Sequence, residues 1–272
     1  MEEQKDMVLE VENLNVKFVM EEETVEAVNN ISLHIKKGET LGLVGETGAG
    51  KTTTALSIMR LVDSPPGVLE CDKLEVCGQD VMGMSITELE HIRGGLVSMI
   101  FQDPVSSLNP RMTVEEIIAE GLKTRGEKDK ELIRKSVSSI LNKVGLLPEH
   151  GSRYPHEFSG GMKQRAGIAR AYTNNPEIML MDEPFGQLDA QTRYSMQDEV
   201  LRIWESEKRT FIFVTNNIEE ALYLADRIVL LTNYPAQVKE IYDINLPRPR
   251  DTVSPEFLRL RKIISDNTDL AL

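Results

Sequence analysis

The segment "TLGLVGETGAGKT" (residues 40–52) carries the strongest structural signal of the sequence. Its first residues form a short apolar run that predicts a buried strand. Residues 45–52 fit the pattern G-x-x-x-x-G-K-[S/T] and stand at the head of a predicted helix over 52–62. A glycine-rich turn with an incidental lysine is the alternative, but it does not explain why strand, loop and helix follow in this order. The segment therefore predicts a phosphate-binding loop.

Each residue type in this loop has a physical role. Glycines let consecutive backbone N–H groups surround phosphate oxygens, and the helix N-terminus adds favourable partial charge. We expect Lys51 to reach the β- and γ-phosphates and the Thr52 hydroxyl to bind Mg²⁺. The predicted nucleotide-binding residues of the loop are Gly45, Glu46, Thr47, Gly48, Ala49, Gly50, Lys51, Thr52 and Thr53.

Strands and helices alternate on both sides of this loop. Residues 8–44 alternate between apolar and polar side chains and predict an antiparallel meander, whose acidic turn "MEEET" is a solvated hairpin tip. "EIMLMD" (177–182) and "TFIFVT" (210–215) predict buried strands with a helix over 190–205 between them. From about Thr87 to Leu146 the pattern is mainly helical. This order predicts an α/β fold: a parallel-sheet core with an antiparallel β subdomain and an inserted α-helical subdomain.

Composition excludes some classes of function. The 272 residues carry a net charge of −13, so sequence-neutral binding of nucleic acid, which needs a basic face, is not expected. The two cysteines, Cys71 and Cys77, are too few for a disulfide framework and favour a reducing, cytoplasmic setting. We find no secretory signal and no apolar run long enough to span a bilayer, so any membrane role is expected to act through a partner.

Two carboxylates stand at the end of a predicted buried strand in "IMLMDEP" (178–184). Asp182 is predicted to hold a metal ion through a water molecule. Glu183 is then placed to polarise an attacking water as a general base. An acidic pair at a strand end is common, so this motif alone is a moderate signal. Its occurrence together with the phosphate-binding loop makes coincidence improbable.

A second candidate anion site lies in "FSGGMKQR" (158–165). Ser159, Gly160 and Gly161 precede a predicted helix over 162–172, where a hydroxyl and bare glycine amides could bind phosphate. A plain helix N-cap is the alternative. Because one nucleotide does not need two such sites on one chain, we expect a second copy to supply this one across a dimer.

Together these motifs resemble the nucleotide-binding subunits of ABC transporters, in the order and spacing of that family over essentially the whole chain. "GETGAGKT" resembles the Walker A loop, "IMLMDE" the Walker B strand and "FSGGM" the signature loop. "FQDP" places Gln102 at the Q-loop, a metal and catalytic contact, and "GQLD" places Asp189 at the D-loop, near the nucleotide. Phe18 falls where the family stacks an aromatic ring on adenine, although an aromatic residue in a strand is more often core.

The resemblance implies a P-loop NTPase (RecA-like) core and a single ABC ATPase domain over 1–272. Its expected parts are the nucleotide-binding core with the β subdomain (8–86 and 166–234), the helical subdomain with the signature loop (87–165) and a C-terminal tail (235–272). The implied ligands are ATP and Mg²⁺. The implied partners are a second ABC ATPase chain, transmembrane permease subunits and, indirectly, a solute-binding protein, at the inner face of the cell membrane.

"FVTNN" departs from the family at the end of the strand 210–215. The family has a switch histidine there, and this chain has Asn216. An asparagine amide can donate a hydrogen bond to phosphate, but it cannot carry charge or relay a proton. We therefore expect slowed hydrolysis. The chain is the weaker half of a heterodimer, a homodimer that tolerates asparagine, or a protein altered to trap ATP, and the first is slightly favoured.

The two halves of the chain resemble different importers. "MIFQDPVSSLNPRMTV" and "FSGGMKQR" resemble the peptide/nickel branch, whereas "MDEPFGQLDAQTR" and the tail resemble the nitrate/sulfonate/taurine branch. A permease helix is expected to dock near residues 102–111 and the helix that starts at Thr113. The tail is expected to stabilise packing or the dimer. Two other classes stay open: a soluble ABC-type ATPase acting on a macromolecule, and an ATP-binding regulator with little turnover.

Overall fold

The computed structural model describes residues 6–102, 108–186 and 188–268. The strands are β1 (Met7–Val19), β2 (Thr24–Lys36), β3 (Thr40–Val44), β4 (Gly67–Glu70), β5 (Lys73–Val76), β6 (Gln79–Asp80), β7 (Val97–Ile100), β8 (Ile178–Asp182), β9 (Thr210–Thr215), β10 (Arg227–Leu231) and β11 (Val238–Asp243). The helices are α1 (Lys51–Ile58), α2 (Ile86–Ile92), α3 (Val114–Thr124), α4 (Lys130–Lys143), α5 (Gly160–Tyr172), α6 (Ala190–Glu207), α7 (Ile218–Leu224) and α8 (Pro255–Asn267).

The strands form two sheets. The first has the order β2-β1-β5-β6, with β4 also paired to β1, and its pairings are antiparallel. The second has the order β11-β10-β3-β9-β8-β7, with parallel pairing except at β11. The predicted combination of an antiparallel subdomain and a parallel core is therefore confirmed. The carboxyl ends of β3, β9, β8 and β7 meet at one edge, where ligands bind in open α/β sheets.

The central strands β8 and β9 are buried on both faces. Leu180 and Ile212 point into a core shared with α1 and the antiparallel sheet. Met179 and Phe211 point into a second core with the helices α3 to α6. Each of these strands thus stabilises two layers, which explains their continuous apolar sequences.

The helices between β7 and β8 form the predicted inserted block. Thr113 caps α3 through a reciprocal capping box with Glu116, as its sequence predicts. Ile117, Val137 and Ile168, one from each of α3, α4 and α5, are buried in the second core. The helical layer is therefore packed directly against the core sheet.

One part of the helical prediction is wrong. Val97–Ile100 is the edge strand β7, paired in parallel with β8. The four residues "VSMI" are too short to show a period, so the helical pattern around them hid the strand. We therefore place the start of the helical insertion after β7 and not at residue 87. The helix predicted over 52–62 is also shorter, since α1 ends at Ile58.

The tail packs on α7. Phe257 and Ile264 of α8 are fully buried against a cluster that includes Leu222. Arg250 is 5% exposed and donates hydrogen bonds to the carbonyl oxygens of Leu222 and Ala225 at 2.6 Å each, so the tail caps the end of α7. Within the described ranges, no helix has the length and apolar character to cross a bilayer.

Candidate functional site

The phosphate-binding loop connects β3 directly to α1. Gly50, the residue before α1, has a left-handed backbone with φ of 78°. A Cβ at this position would lie 2.4 Å from the carbonyl oxygen of Ala27. Only glycine fits there, because the loop folds back against β2 at van der Waals contact. The backbone N–H groups of the loop are thereby held in a fixed curve.

Lys51 is buried within this loop, with 4% of its surface exposed. Its Nζ donates hydrogen bonds to the carbonyl oxygens of Gly45 at 2.9 Å and Glu46 at 2.6 Å. Burial lowers the pKa of Lys51, and the carboxylates of Glu183 and Asp182 oppose this shift. The ammonium group is thus held at the loop by acceptors that phosphate oxygens can replace.

Thr52 and Asp182 meet at the base of the loop. The Thr52 hydroxyl donates to Asp182 Oδ1 at 2.9 Å. Burial raises the pKa of Asp182, while the hydrogen bond from Thr52 and the charge of Lys51 lower it. A hydroxyl and a carboxylate are hard oxygen ligands of the kind that Mg²⁺ prefers, so this pair fits the predicted metal site.

Glu183 follows β8 with a left-handed backbone, φ 44°, which turns the chain sharply at the sheet edge. Its N–H donates to the carbonyl oxygen of Val214 at 2.8 Å. Its Oε2 accepts a hydrogen bond from Gln102 Nε2 at 3.0 Å. The structure therefore brings together the predicted general base and the predicted Q-loop residue, although these are distant in sequence.

Asn216 is exposed and lines a cavity of about 220 Å³ with Gln102 and Glu183. Asn217, the next residue, caps α7: its Oδ1 accepts from the N–H groups of Glu219 at 2.9 Å and Glu220 at 3.2 Å. The second asparagine therefore serves the helix, and the first faces the cavity of the predicted general base.

Ser159 and Asp189 both act as helix N-caps. Ser159 Oγ accepts from the N–H of Met162 at 3.3 Å, and Asp189 Oδ1 accepts from the N–H of Thr192 at 3.0 Å. Ser159 and Gly160 are exposed, with open space around Gly160. In the described parts of the chain, no hydrogen bond joins Ser159 to the phosphate-binding loop.

Three predicted features lie apart from this cluster or outside it. Phe18 is half-buried on β1, paired with Val25 and Gly67, and packs on the first core. Gln187 of the predicted D-loop lies outside the described residues. So do residues 103–107, which belong to the predicted "FQDP" motif and docking segment.

The sequence and the fold are similar to those of known proteins. Residues 28–186 match the model of the family described as ABC transporter. The chain belongs to the ABC transporter family. Members of this family carry an ATP-binding cassette, and the chain is an ABC ATPase of that kind, as its motifs predicted.

Two relatives of this ABC ATPase are similar over most of their length. An uncharacterized ABC transporter ATP-binding protein of Methanocaldococcus jannaschii is 41% identical over 256 residues, which are 94% of this chain and 89% of the relative. An oligopeptide transport ATP-binding protein of Bacillus subtilis is 42% identical over 226 residues, which are 82% and 72% of the two chains. The similarity to the peptide branch that the sequence showed is confirmed.

A solved structure supports the fold of this ABC ATPase. The dimeric, post-hydrolysis state of an ATP-binding cassette bound to ADP and Pi matches with a TM-score of 0.74 and 28% identity. The match covers 87% of this chain and 99% of the other. The predicted P-loop NTPase fold with its inserted helical subdomain is therefore confirmed.

Two charged residues near the site were missed from sequence. Glu220 and Arg193 line the same cavity as Asn216. Glu220 lies in the first turn of α7, where an acidic residue ordinarily complements the helix dipole, so its burial could not be predicted from the pattern. Arg193 lies in the first turn of α6 on a helix with other exposed charges. Only the tertiary structure brings the two side chains to one place.

Proposed function

We propose that the chain is the ATP-binding subunit of an importer related to the peptide transporters, bound to the inner face of the cell membrane through its permease. The observation that supports this most is the 42% identity to a protein named for oligopeptide transport. In this proposal the permease subunits provide the path for the solute, and this chain supplies the nucleotide-binding site.

The proposed cycle uses two chains. ATP binds between the loop around Lys51 of one chain and the exposed corner at Ser159 of a second ATPase chain. The hydroxyl of Thr52, the carboxylate of Asp182 and the amide of Gln102 are the groups that would hold Mg²⁺, which supplies positive charge to the phosphates. Glu183 accepts a proton from the attacking water. Because ATP contacts both chains only when they close, its binding shifts the population toward the closed dimer.

A groove suits the docking of the permease. A cavity of about 920 Å³ lies between the core and the helical block, and it adjoins Gln102 through Phe101, which is 46% exposed. Charges of both signs line it, including Glu120 on α3 and Arg125. A short amphipathic helix with an apolar anchor would fill such a groove, and movement of the helix would reach the Q-loop directly.

Charge reversal in this groove tests the proposal. Glu120→Lys is compared with Glu131→Lys, since Glu131 is also exposed but lies on α4 outside the groove, paired with Lys135 at 2.8 Å. We expect Glu120→Lys to lower recovery of an integral-membrane partner by about tenfold when the native complex is isolated, at unchanged basal ATP turnover. Equal recovery of the partner with both variants would contradict the groove as the docking site.

We further propose that Asn216 slows hydrolysis without preventing ATP binding. In support, the side chain faces the cavity of Glu183 and has no titratable group. This suits the weaker half of a heterodimer. Asn216→His should raise multiple-turnover phosphate release by about tenfold, the order expected for one added proton-transfer or charged hydrogen-bonding group. Glu183→Gln is the inactive control, and no gain in rate would contradict the proposal.

A further inference from the structure

The cavity beside Asn216 contains two opposite charges that do not meet. Its walls include Glu220 on α7 and Arg193 on α6, together with Glu183. The ion pairs found among the described residues do not include one between Glu220 and Arg193. A cavity of about 220 Å³ between them is large enough for several water molecules.

Glu220 is only 5% exposed, and its Oε1 has no hydrogen-bond partner within the described residues. Buried carboxylates in native proteins are almost always paired or hydrogen-bonded. Burial, with a smaller contribution from the charge of Glu183, raises the pKa of Glu220 to about 7, although side-chain hydrogen bonds with Thr215 and Gln197 and the charge of Arg193 act in the opposite direction. The charged groups that face Glu220 are thus Arg193 from α6 and Glu183 from the end of β8.

Arg193, like Glu220, has a buried polar atom without a hydrogen-bond partner among the described residues. One terminal nitrogen donates to the carbonyl oxygen of Leu188 at 3.1 Å, but its buried Nε has no partner in the part of the chain that the structure describes. Leu188 belongs to the D-loop, and Asp189 caps the helix that carries Arg193. The guanidinium is therefore bonded to the D-loop through one terminal nitrogen, and Arg193 lines the cavity while its Nε stays unpaired.

Glu220 is fixed to the switch segment in a similar way. Asn217 Oδ1 accepts from the N–H of Glu220 at 3.2 Å, and the N–H of Asn217 donates to Thr215 Oγ1 at 3.0 Å. Asn216 lies between Thr215 and Asn217, the two residues that this last hydrogen bond joins. The Thr215 side chain also hydrogen-bonds the Glu220 carboxyl, so a shift of this carboxyl toward Arg193 would change the contacts that hold the residue before Asn216.

We propose that Arg193 and Glu220 are a pair of positioning residues that join in the hydrolysing state and lock Leu188 and Asp189 of the D-loop to the switch segment 215–217. Joining satisfies both unpaired atoms and removes water from the cavity beside Glu183, which strengthens the ion pair itself. The pair acts through the groups it positions and does not touch the nucleotide. The inference rests on ATP hydrolysis by this chain, and it is independent of the permease groove and of the effect of Asn216.

The test is a double-mutant cycle with Glu220→Gln, Arg193→Met and the combined variant, measured as phosphate release by the full chain at saturating Mg-ATP. Each single change should lower kcat by about tenfold and leave the KM for ATP within about twofold. Because the two residues act together, the combined variant should be no slower than the slower single variant. Losses that multiply would overturn the proposal, as would a loss confined to KM.

A pH profile provides the second measurement. The ionised carboxylate is the form that pairs with Arg193, so wild-type kcat should rise between about pH 6 and about pH 8 with a midpoint at or below about 7. Glu220→Gln should lack this rise, and its persistence in that variant would overturn the proposal. Glu219→Gln removes the same charge from the neighbouring residue, which pairs with Arg261 at 3.4 Å, and should keep the wild-type rate and profile.

Folding is controlled by thermal unfolding and ATP affinity, measured on every variant. If Glu220→Gln does not fold, the kcat values of two Arg193 variants provide the test. Arg193→Lys keeps the charge and should recover most of the kcat that Arg193→Met loses, at equal ATP affinity. Equal kcat in Arg193→Lys and Arg193→Met would overturn the ion pair.

Discussion

The neighbouring strands β3 and β9 end side by side, yet they end in opposite ways. Val44 pairs with Thr215, so both strands reach the same edge. After β3, Lys51 is buried and bonded to two carbonyl oxygens of its own loop. After β9, the buried carboxylate of Glu220 keeps an oxygen without a partner among the described residues. The loop after β3, the phosphate-binding half, thus bonds its buried charge within the chain, whereas the reacting half after β9 leaves a buried oxygen unpaired among the described residues.

The largest effect is expected on phosphate release, from a change of Glu183 in the reacting half. Glu183→Gln keeps the hydrogen bond with Gln102 but removes the proton acceptor, so multiple-turnover phosphate release should fall by about 10² to 10⁴-fold. ATP affinity should stay within about twofold, because the loop after β3 is untouched. Glu177→Gln, just before the start of β8 and paired with Lys37 at 3.3 Å, is the matched control. Loss of ATP affinity in Glu183→Gln would show that the two halves are not separable.

The next largest effect is expected on ATP affinity, from Lys51 in the phosphate-binding half. Lys51→Ala removes a buried ammonium that would bind two phosphates, and each charge-assisted hydrogen bond contributes about 1.5–3 kcal/mol. The dissociation constant for ATP should rise by about 10³-fold, near 4 kcal/mol. Displacement of a fluorescent ATP analogue measures it, with the exposed Lys36→Ala as control. A loss below about tenfold would mean that the loop backbone alone carries the affinity.

The smallest effect is expected on the free energy of unfolding, through the unpaired carboxyl of Glu220 in the reacting half. The pKa of Glu220 is raised by burial from 4.5 to about 7. Between these values the native state keeps a proton that the unfolded state has lost. The free energy of unfolding should therefore fall as pH rises from about 4.5 to about 7, by about 3 kcal/mol from this group.

Comparison with Glu220→Gln isolates this contribution. Other carboxylates titrate in both proteins and cancel. Denaturant unfolding at about pH 4.5 and about pH 8 should show the difference between wild type and variant shifting by about 3 kcal/mol in favour of the variant. A difference that does not change with pH would indicate that Glu220 is already paired in the free chain.

The sequence predicted the features that are local. The phosphate-binding loop is contiguous, and Asp182 and Glu183 are the last residue of a five-residue buried strand and the residue after it, so pattern and spacing were enough. The strand β7 could not be predicted, because its four residues acquire strand geometry only by pairing with β8. Glu220 and Arg193 could not be predicted either, since a long-range fold brings them together. Phe18 stays a prediction, because its packing on the first core fits either reading.

The buried guanidinium of Arg250 has a consequence for the helix that carries Glu220. It occupies the last carbonyl oxygens of the helix whose first turn carries Glu220, and burial lowers the pKa of Arg250 only to about 10, so it stays cationic at neutral pH. A cation at that end also complements the helix dipole. A chain cut after Asp243 would leave those carbonyl groups to solvent and let the helix fray toward its start. The tail, although it lies beyond the last strand of the sheet, therefore helps to hold the helix that begins at the reacting half.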